Sequence, residues 1–156
     1  MLKNREIFVF LDFFAYLCST MIKNEVMTRE EKQLLLKDLC ARLPYDAMID
    51  YENHIYVLNE IDPACKDIDY ITVRIQDRER LMCAKNVMIE DIKPYLRPLS
   101  SMTEEENTTY EYGFLYSNDL QIYAEEYIDW LNAHHFDYRG LIERGLALEA
   151  PEGMYN

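Results

Sequence analysis

The chain has 156 residues, 49% of them apolar and 29% charged, with a formal net charge of −13. That length and apolar content allow one buried core and exclude a wholly disordered chain. The charge is uneven: residues 1–99 hold 17 acids against 14 bases, and residues 100–156 hold 12 against 2. Such a field opposes direct binding to nucleic acid and to anionic membrane surfaces, and it favours a protein partner with a basic face.

Residues Ile7 to Ile22 form a mostly apolar run behind Lys3 and Arg5. Asp12 interrupts it, it is shorter than the ~20 residues of a spanning helix, and no small-residue cleavage site follows, so an anchor or signal peptide is the weaker reading. Residues 1–26 are instead expected to be an N-terminal extension, from a start codon upstream of Met27. Residues 27–156 are expected to form a single domain: a helix and sheet over 27–99, a helical part over 100–150, and a loose tail over 151–156. The four cysteines, Cys18, Cys40, Cys65 and Cys83, show no C-x-x-C pair. Reduced thiols in the cytoplasm, with no metal and no cofactor, are the expectation.

Thr28-Arg29-Glu30-Glu31 is a capping box and predicts a helix start. Leu35, Leu36, Leu39, Cys40 and Leu43 follow at helical spacing, with Lys32, Gln33, Lys37 and Asp38 expected to face away, until Pro44 ends the element. From Ala47 the period becomes two. Ala47 to Tyr51 and His54 to Leu58 predict a hairpin turning at Glu52-Asn53, Asp69 to Ile75 a third strand, and Leu81 to Ile89 a fourth. Ile92 to Leu99 holds Pro94 and Pro98 and reads as a short turn or extended connector.

Thr103, followed by three glutamates, is another helix start. Leu120 to His134 is a helix whose stripe is Leu120, Tyr123, Ala124, Tyr127, Ile128 and Leu131, opposite Gln121, Glu125, Asp129 and Asn132. Asp137 should cap a last short helix ending at Gly145. The expected fold class is α+β: an N-terminal helix packed on a three- or four-stranded antiparallel curled sheet, followed by a helical acidic C-terminal part.

Three stretches carry a resemblance: Met27 to Lys32 leading into Asp38-Leu39-Cys40-Ala41-Arg42-Leu43-Pro44-Tyr45, then Lys93 to Glu106, and Trp130-Leu131-Asn132-Ala133-His134-His135-Phe136-Asp137-Tyr138-Arg139-Gly140-Leu141-Ile142-Glu143. They resemble a group of short acidic proteins, functionally unassigned, encoded by gut bacteria and their phages or mobile elements. The resemblance covers most of the chain after Met27 and implies a setting rather than an activity.

No nucleophile elbow, zincin motif, dinucleotide fingerprint or P-loop is present. His134 and His135 with Asp137 could in principle ligate a metal, but adjacent helical side chains point about 100° apart, so capping of helix carbonyls is the simpler role. Arg139 could recognise an anion or could form an internal ion pair. The leading reading is a non-enzymatic protein-interaction module, with Tyr123, Tyr127, Trp130, His134, His135, Tyr138 and Arg139 as its candidate surface. Two alternatives stand behind it: an acidic DNA mimic acting on a DNA-binding protein, using Glu104, Glu105, Glu106, Glu111, Glu125, Glu126 and Asp129, and a metal- or thiol-dependent enzyme.

Overall fold

A computed structural model describes residues 26–62, 71–78, 83–108 and 120–155, with only the backbone described for residues 120–123. The N-terminal extension, apart from Val26, therefore lies outside the described residues, as do Cys18, Cys65, Glu111 and the first residues of the predicted third strand.

Helix α1 (Arg29–Arg42) begins as its capping box requires. The Thr28 amide donates to Glu31 Oε2 at 2.8 Å and the Glu31 amide donates to Thr28 Oγ1 at 3.2 Å, which satisfies two of the amides a helix start leaves free. Its apolar face is narrower than expected. Leu35 and Leu39 are fully buried, Cys40 is exposed, and Lys32 and Asp38, expected outside, are buried. Lys32 reaches Glu90 in an ion pair, and Asp38 meets two arginines, so the charges that this helix buries are paired.

Six strands follow: β1 (Met48–Tyr51), β2 (His54–Ile61), β3 (Thr72–Asp77), β4 (Ala84–Met88), β5 (Lys93–Leu96) and β6 (Leu148–Glu149). They make one sheet in the order β4-β3-β2-β1-β5-β6. The first five pair antiparallel, and β5 pairs with β6 in parallel. Val73 and Ile75 point into the core beside exposed Arg74, the two-residue alternation of a sheet with one covered face. The cover is α1: Leu35 and Leu39 pack with Ile49, Tyr56, Leu58, Val73, Ile75 and Ile89.

The β1–β2 hairpin turns at Glu52-Asn53 as the sequence predicts, with positive φ at both residues (53° and 61°). That geometry suits a two-residue hairpin but strains a glutamate. Replacing the pair by Asn-Gly (Glu52→Asn with Asn53→Gly) is expected to raise stability by about 0.5–1 kcal/mol. Urea unfolding of the double variant measures this, and an unchanged midpoint would count against the strain.

The sheet is larger than the three or four strands expected, and it is mixed. Within the proline segment, expected to be a short turn or extended connector, Lys93–Leu96 is a paired strand. Its ladder with β1 is two residue pairs long, Ile49 with Pro94 and Asp50 with Lys93, so the donor that proline lacks interrupts no long hydrogen-bonded run. The final strand arises beyond the second helix, where no periodicity of two is long enough to read. Among its described residues the C-terminal third holds helical residues 104–108, α2 (Leu120–Ala133), a series of turns and β6, so it is not wholly helical as expected. The last short helix is replaced by turns in which the Asp137 carboxylate accepts from the Leu141 and Ile142 amides at 2.9 and 2.8 Å. Gly145 does adopt the left-handed conformation, at φ 70°. A second cluster, of Leu96, Leu141, Leu146 and Ala147, packs this region onto β5. No helix among the described residues is long and apolar enough to cross a membrane.

Candidate functional site

The C-terminal end of α2 gathers most of the residues singled out in the sequence. His135 has a left-handed φ of 58°, the Phe136 amide donates to the Leu131 carbonyl at 2.9 Å, and the His135 amide donates to the Asn132 carbonyl at 3.2 Å. This is a Schellman stop with histidine where glycine is usual. His134 Nδ1 sits 2.9 Å from the Trp130 carbonyl, which is the capping role expected of it.

Trp130 lies at the centre of an aromatic stack. Its ring centroid is 4.2 Å from His134, 5.6 Å from Phe136 and 6.3 Å from Tyr127. Arg97 lies over Phe136 at 4.2 Å and is itself held by Glu106, at 2.8 and 3.0 Å. The pairing holds the Glu106 carboxyl at about 2, well below the usual carboxylate range, mainly through the Arg97 hydrogen bonds. Glu106 also completes a capping box with Thr103, accepting from its amide at 2.8 Å while the Glu106 amide donates to Thr103 Oγ1. The acidic segment after Ser100 is thereby tied to the aromatic stack.

Around this stack the helix is more exposed than its stripe predicts. Ala124 and Ile128, expected inside, are exposed, whereas Asn132, expected outside, is buried and accepts from the Tyr138 hydroxyl at 3.0 Å. Among the described side chains of α2, those buried are Leu131 and Asn132 in its last turn, whereas Ala124 and Ile128 in the preceding turns are exposed. Glu125, Glu126 and Asp129 are exposed beside half-buried Tyr127 and Trp130.

Beneath the stack lies a buried ionic cluster. Arg42 and Asp38 are both 0% exposed. Arg42 Nε donates to Asp38 Oδ2 at 2.7 Å, and its Nη2 donates to Asp38 Oδ1 at 3.0 Å and to the Phe136 carbonyl at 2.7 Å. Arg139 Nη1 donates to the same Oδ1 at 2.9 Å, with its guanidinium 4.4 Å above the Tyr138 ring. Of the two roles weighed for Arg139, the structure therefore gives the internal ion pair.

His135 is buried as well. Its ring stacks on Tyr155 at 3.7 Å between centroids. The Tyr155 hydroxyl accepts from the Met48 amide at 3.0 Å and donates to the Tyr95 carbonyl at 2.8 Å. Burial, and secondarily the charges of Arg42, His134 and Arg97, lowers His135 to about 4. Burial pushes the Tyr155 phenol up to about 12. Residues 151–153 are exposed, but Tyr155 anchors a segment expected to be loose.

The seven candidates thus separate. Tyr127, Trp130 and His134 share the half-exposed stack; His135, Tyr138 and Arg139 belong to the interior or its margin; the Tyr123 side chain lies outside the described residues. Among the described residues no group of three His, Cys, Asp or Glu side chains converges on a metal position. Asp38, Arg42, Arg97 and Tyr155 carry the site's geometry and were not singled out in advance. The four-residue step from Asp38 to Arg42 was the one visible signal. No protein-family profile matches the chain, no curated protein matches its sequence, and no solved structure matches its fold.

Proposed function

We propose that the chain is a non-enzymatic protein-binding module, of bacterial mobile-element or phage origin, that docks a partner with a basic face on the exposed side of α2. The observation that carries this reading is the exposure of α2: Ile128 is 38% exposed, Tyr127 and Trp130 are half-buried, and the carboxylates of Glu125, Glu126 and Asp129 are exposed on the same two turns. Aromatic and aliphatic anchors inside a charged rim are a common interface design, and the rim's sign selects a basic partner. Trp130 is held by the stack with His134 and Phe136, so it would enter a complex already ordered.

The DNA-mimic reading draws less support. A mimic needs carboxylates in extended rows, about one charge per ~1.7 Å of axis. The exposed acids here include Glu30 on α1, Glu52 at the hairpin, Glu60 on β2, Glu90 and Asp91 before β5, and Glu125, Glu126 and Asp129 on α2. That spread over separate elements fits solvated surfaces better than a phosphate ladder.

The test is affinity capture from the native host, followed by binding measurements on the captured protein in purified form. Saturable binding is expected, weakened at least about tenfold by Ile128→Asp, a change at an exposed position that leaves the core untouched. A captured protein that binds the Ile128→Asp chain equally well would refute docking on this face.

A further inference from the structure

The best-defined feature outside the proposed docking face is the seat of Tyr155. Three parts of the fold build it: the backbone amide at the start of β1, the Tyr95 carbonyl on β5, and the His135 ring after α2. The phenol both donates and accepts there, which uses its full polar capacity, while its ring lies against imidazole. By contrast Pro151, Glu152 and Gly153 are exposed, and the Met154 amide bonds only locally, to the Pro151 carbonyl at 3.1 Å. Among the hydrogen bonds of the described residues, those that tie residues 151–155 to the rest of the fold are made by the Tyr155 hydroxyl.

The ring beneath it is held neutral by its burial. His135 Nδ1 is buried without a hydrogen-bond partner, and the ring's bond to the Tyr45 backbone falls to its other nitrogen. Protonation would place a charge on Nδ1 with no acceptor, in a buried position under the Tyr155 ring. The charged or titratable side chains that bear on it are Arg42 on α1, His134 at the end of α2 and Arg97 after β5. The two arginines are each paired with a carboxylate, Asp38 and Glu106, so burial is the main opposition to the proton and neither carboxylate is left over to receive it. Lifting Tyr155 would expose one ring face and Nδ1 to water, which relieves the burial that chiefly opposes the proton.

We propose that residues 151–155 form an acid-released strap, in which Tyr155 closes over neutral His135 and proton uptake by His135 drives Tyr155 out of its seat between β1 and β5. The open form binds the proton more tightly than the closed form, so acid shifts the population toward it. Between the ordinary histidine value of 6.5 and about 4, the ratio of open to closed strap rises up to tenfold per pH unit, about 300-fold in all if opening restores the ordinary value. This goes beyond the docking reading and does not depend on it: release bares an aromatic-sized seat lined by a backbone amide, a carbonyl and an imidazolium, away from the exposed side of α2.

The experiment is an NMR titration of the full chain from pH 8 to 3.5. It follows the His134 and His135 ring signals, the ring-to-ring contact of His135 with Tyr155, and the Met48 and Ile75 amides. The contact should vanish and the Met48 amide should move with the His135 midpoint, while Ile75 in central β3 stays fixed. Tyr155→Ala should raise the His135 midpoint by about one unit or more, because the cover is gone. Tyr155→Phe keeps the ring and loses both hydroxyl bonds, so its strap should open at higher pH, which serves if the alanine variant does not fold. His135→Asn, which tolerates the left-handed conformation, should keep the Met48 amide constant across the range. His135 titrating with the Tyr155 contact intact, or Met48 and Ile75 moving together, would overturn the proposal.

Discussion

Replacing Asp38 by alanine is expected to destabilise the fold by about 3–5 kcal/mol, the range for breaking a buried ion pair from one side. Asp38 is fully buried and neutralises two arginines: Arg42, also fully buried, and Arg139, whose side chain is 15% exposed. Without it, Arg42 keeps the hydrogen bond to the Phe136 carbonyl at 2.7 Å and the Tyr138 ring at 5.8 Å, and no carboxylate among its described hydrogen-bond partners compensates the buried guanidinium. Urea unfolding followed by circular dichroism reads the effect. Removing the charges together should be far milder, because a buried ion cluster replaced by apolar side chains of similar volume is often neutral or stabilising. Asp38→Leu with Arg42→Met and Arg139→Met should recover most of the loss. An Asp38→Ala variant within about 1 kcal/mol of the parent would show that the cluster does not hold α1 to the C-terminal turns.

Acid is expected to weaken the fold in two steps. His135 is held neutral in the folded chain, with its value lowered from 6.5 to about 4, so between these limits the unfolded chain binds more protons. Stability is therefore full above about 6.5 and falls as the pH drops toward 4, by about 3 kcal/mol at most from a shift of this size. Opening of the Tyr155 strap lets the native chain take the proton earlier and caps that loss. Glu106 acts lower on the scale. Its carboxyl is held at about 2 against an ordinary 4.5, so its pairing with Arg97 stabilises above 4.5 and is lost as the pH falls toward 2. Urea midpoints at pH 7.5, 5.5, 4.5 and 3 separate the two. His135→Asn should flatten the upper step alone, and Glu106→Gln the lower step alone. Equal slopes in the His135→Asn chain and its parent above pH 4.5 would mean that His135 is not the group responsible.

The parts of this fold legible in the sequence are those written in local chemistry. The Thr28–Glu31 capping box, the Glu52-Asn53 turn and the alternation of β3 each depend on residues close together in the chain, and each appears in the structure. The failures share a cause, since they depend on what an element packs against. Pro94 reads as a strand breaker, yet β5 needs only two residue pairs with β1. Asp38 reads as a solvated helix position until Arg139, about a hundred residues on, closes over it. Ile128 reads as core, but among the described side chains of α2 the buried ones lie in its last turn. At the candidate site the aromatic residues were readable by type. Their separation into a half-exposed stack and a buried histidine was not, because the left-handed turn at His135 sends the chain back toward β5: the Arg97 amide donates to the His135 carbonyl at 2.8 Å.

The measurement that bears most directly on the docking surface is the salt dependence of partner binding by a charge-reversed α2. Glu125→Lys, Glu126→Lys and Asp129→Lys combined alter three exposed residues, and Glu30→Lys with Glu60→Lys on α1 and β2 provides a control of the same kind. Rim charges act chiefly on association rate and on its sensitivity to salt, and exposed pairs are screened over ~8 Å at physiological ionic strength. The α2 variant should slow association with the purified partner at least about tenfold at low salt and flatten its salt dependence, while the control binds as the parent does. Equal slowing by both variants would reduce the effect to net charge alone, and no slowing by the α2 variant would contradict the assignment of this face as the partner surface.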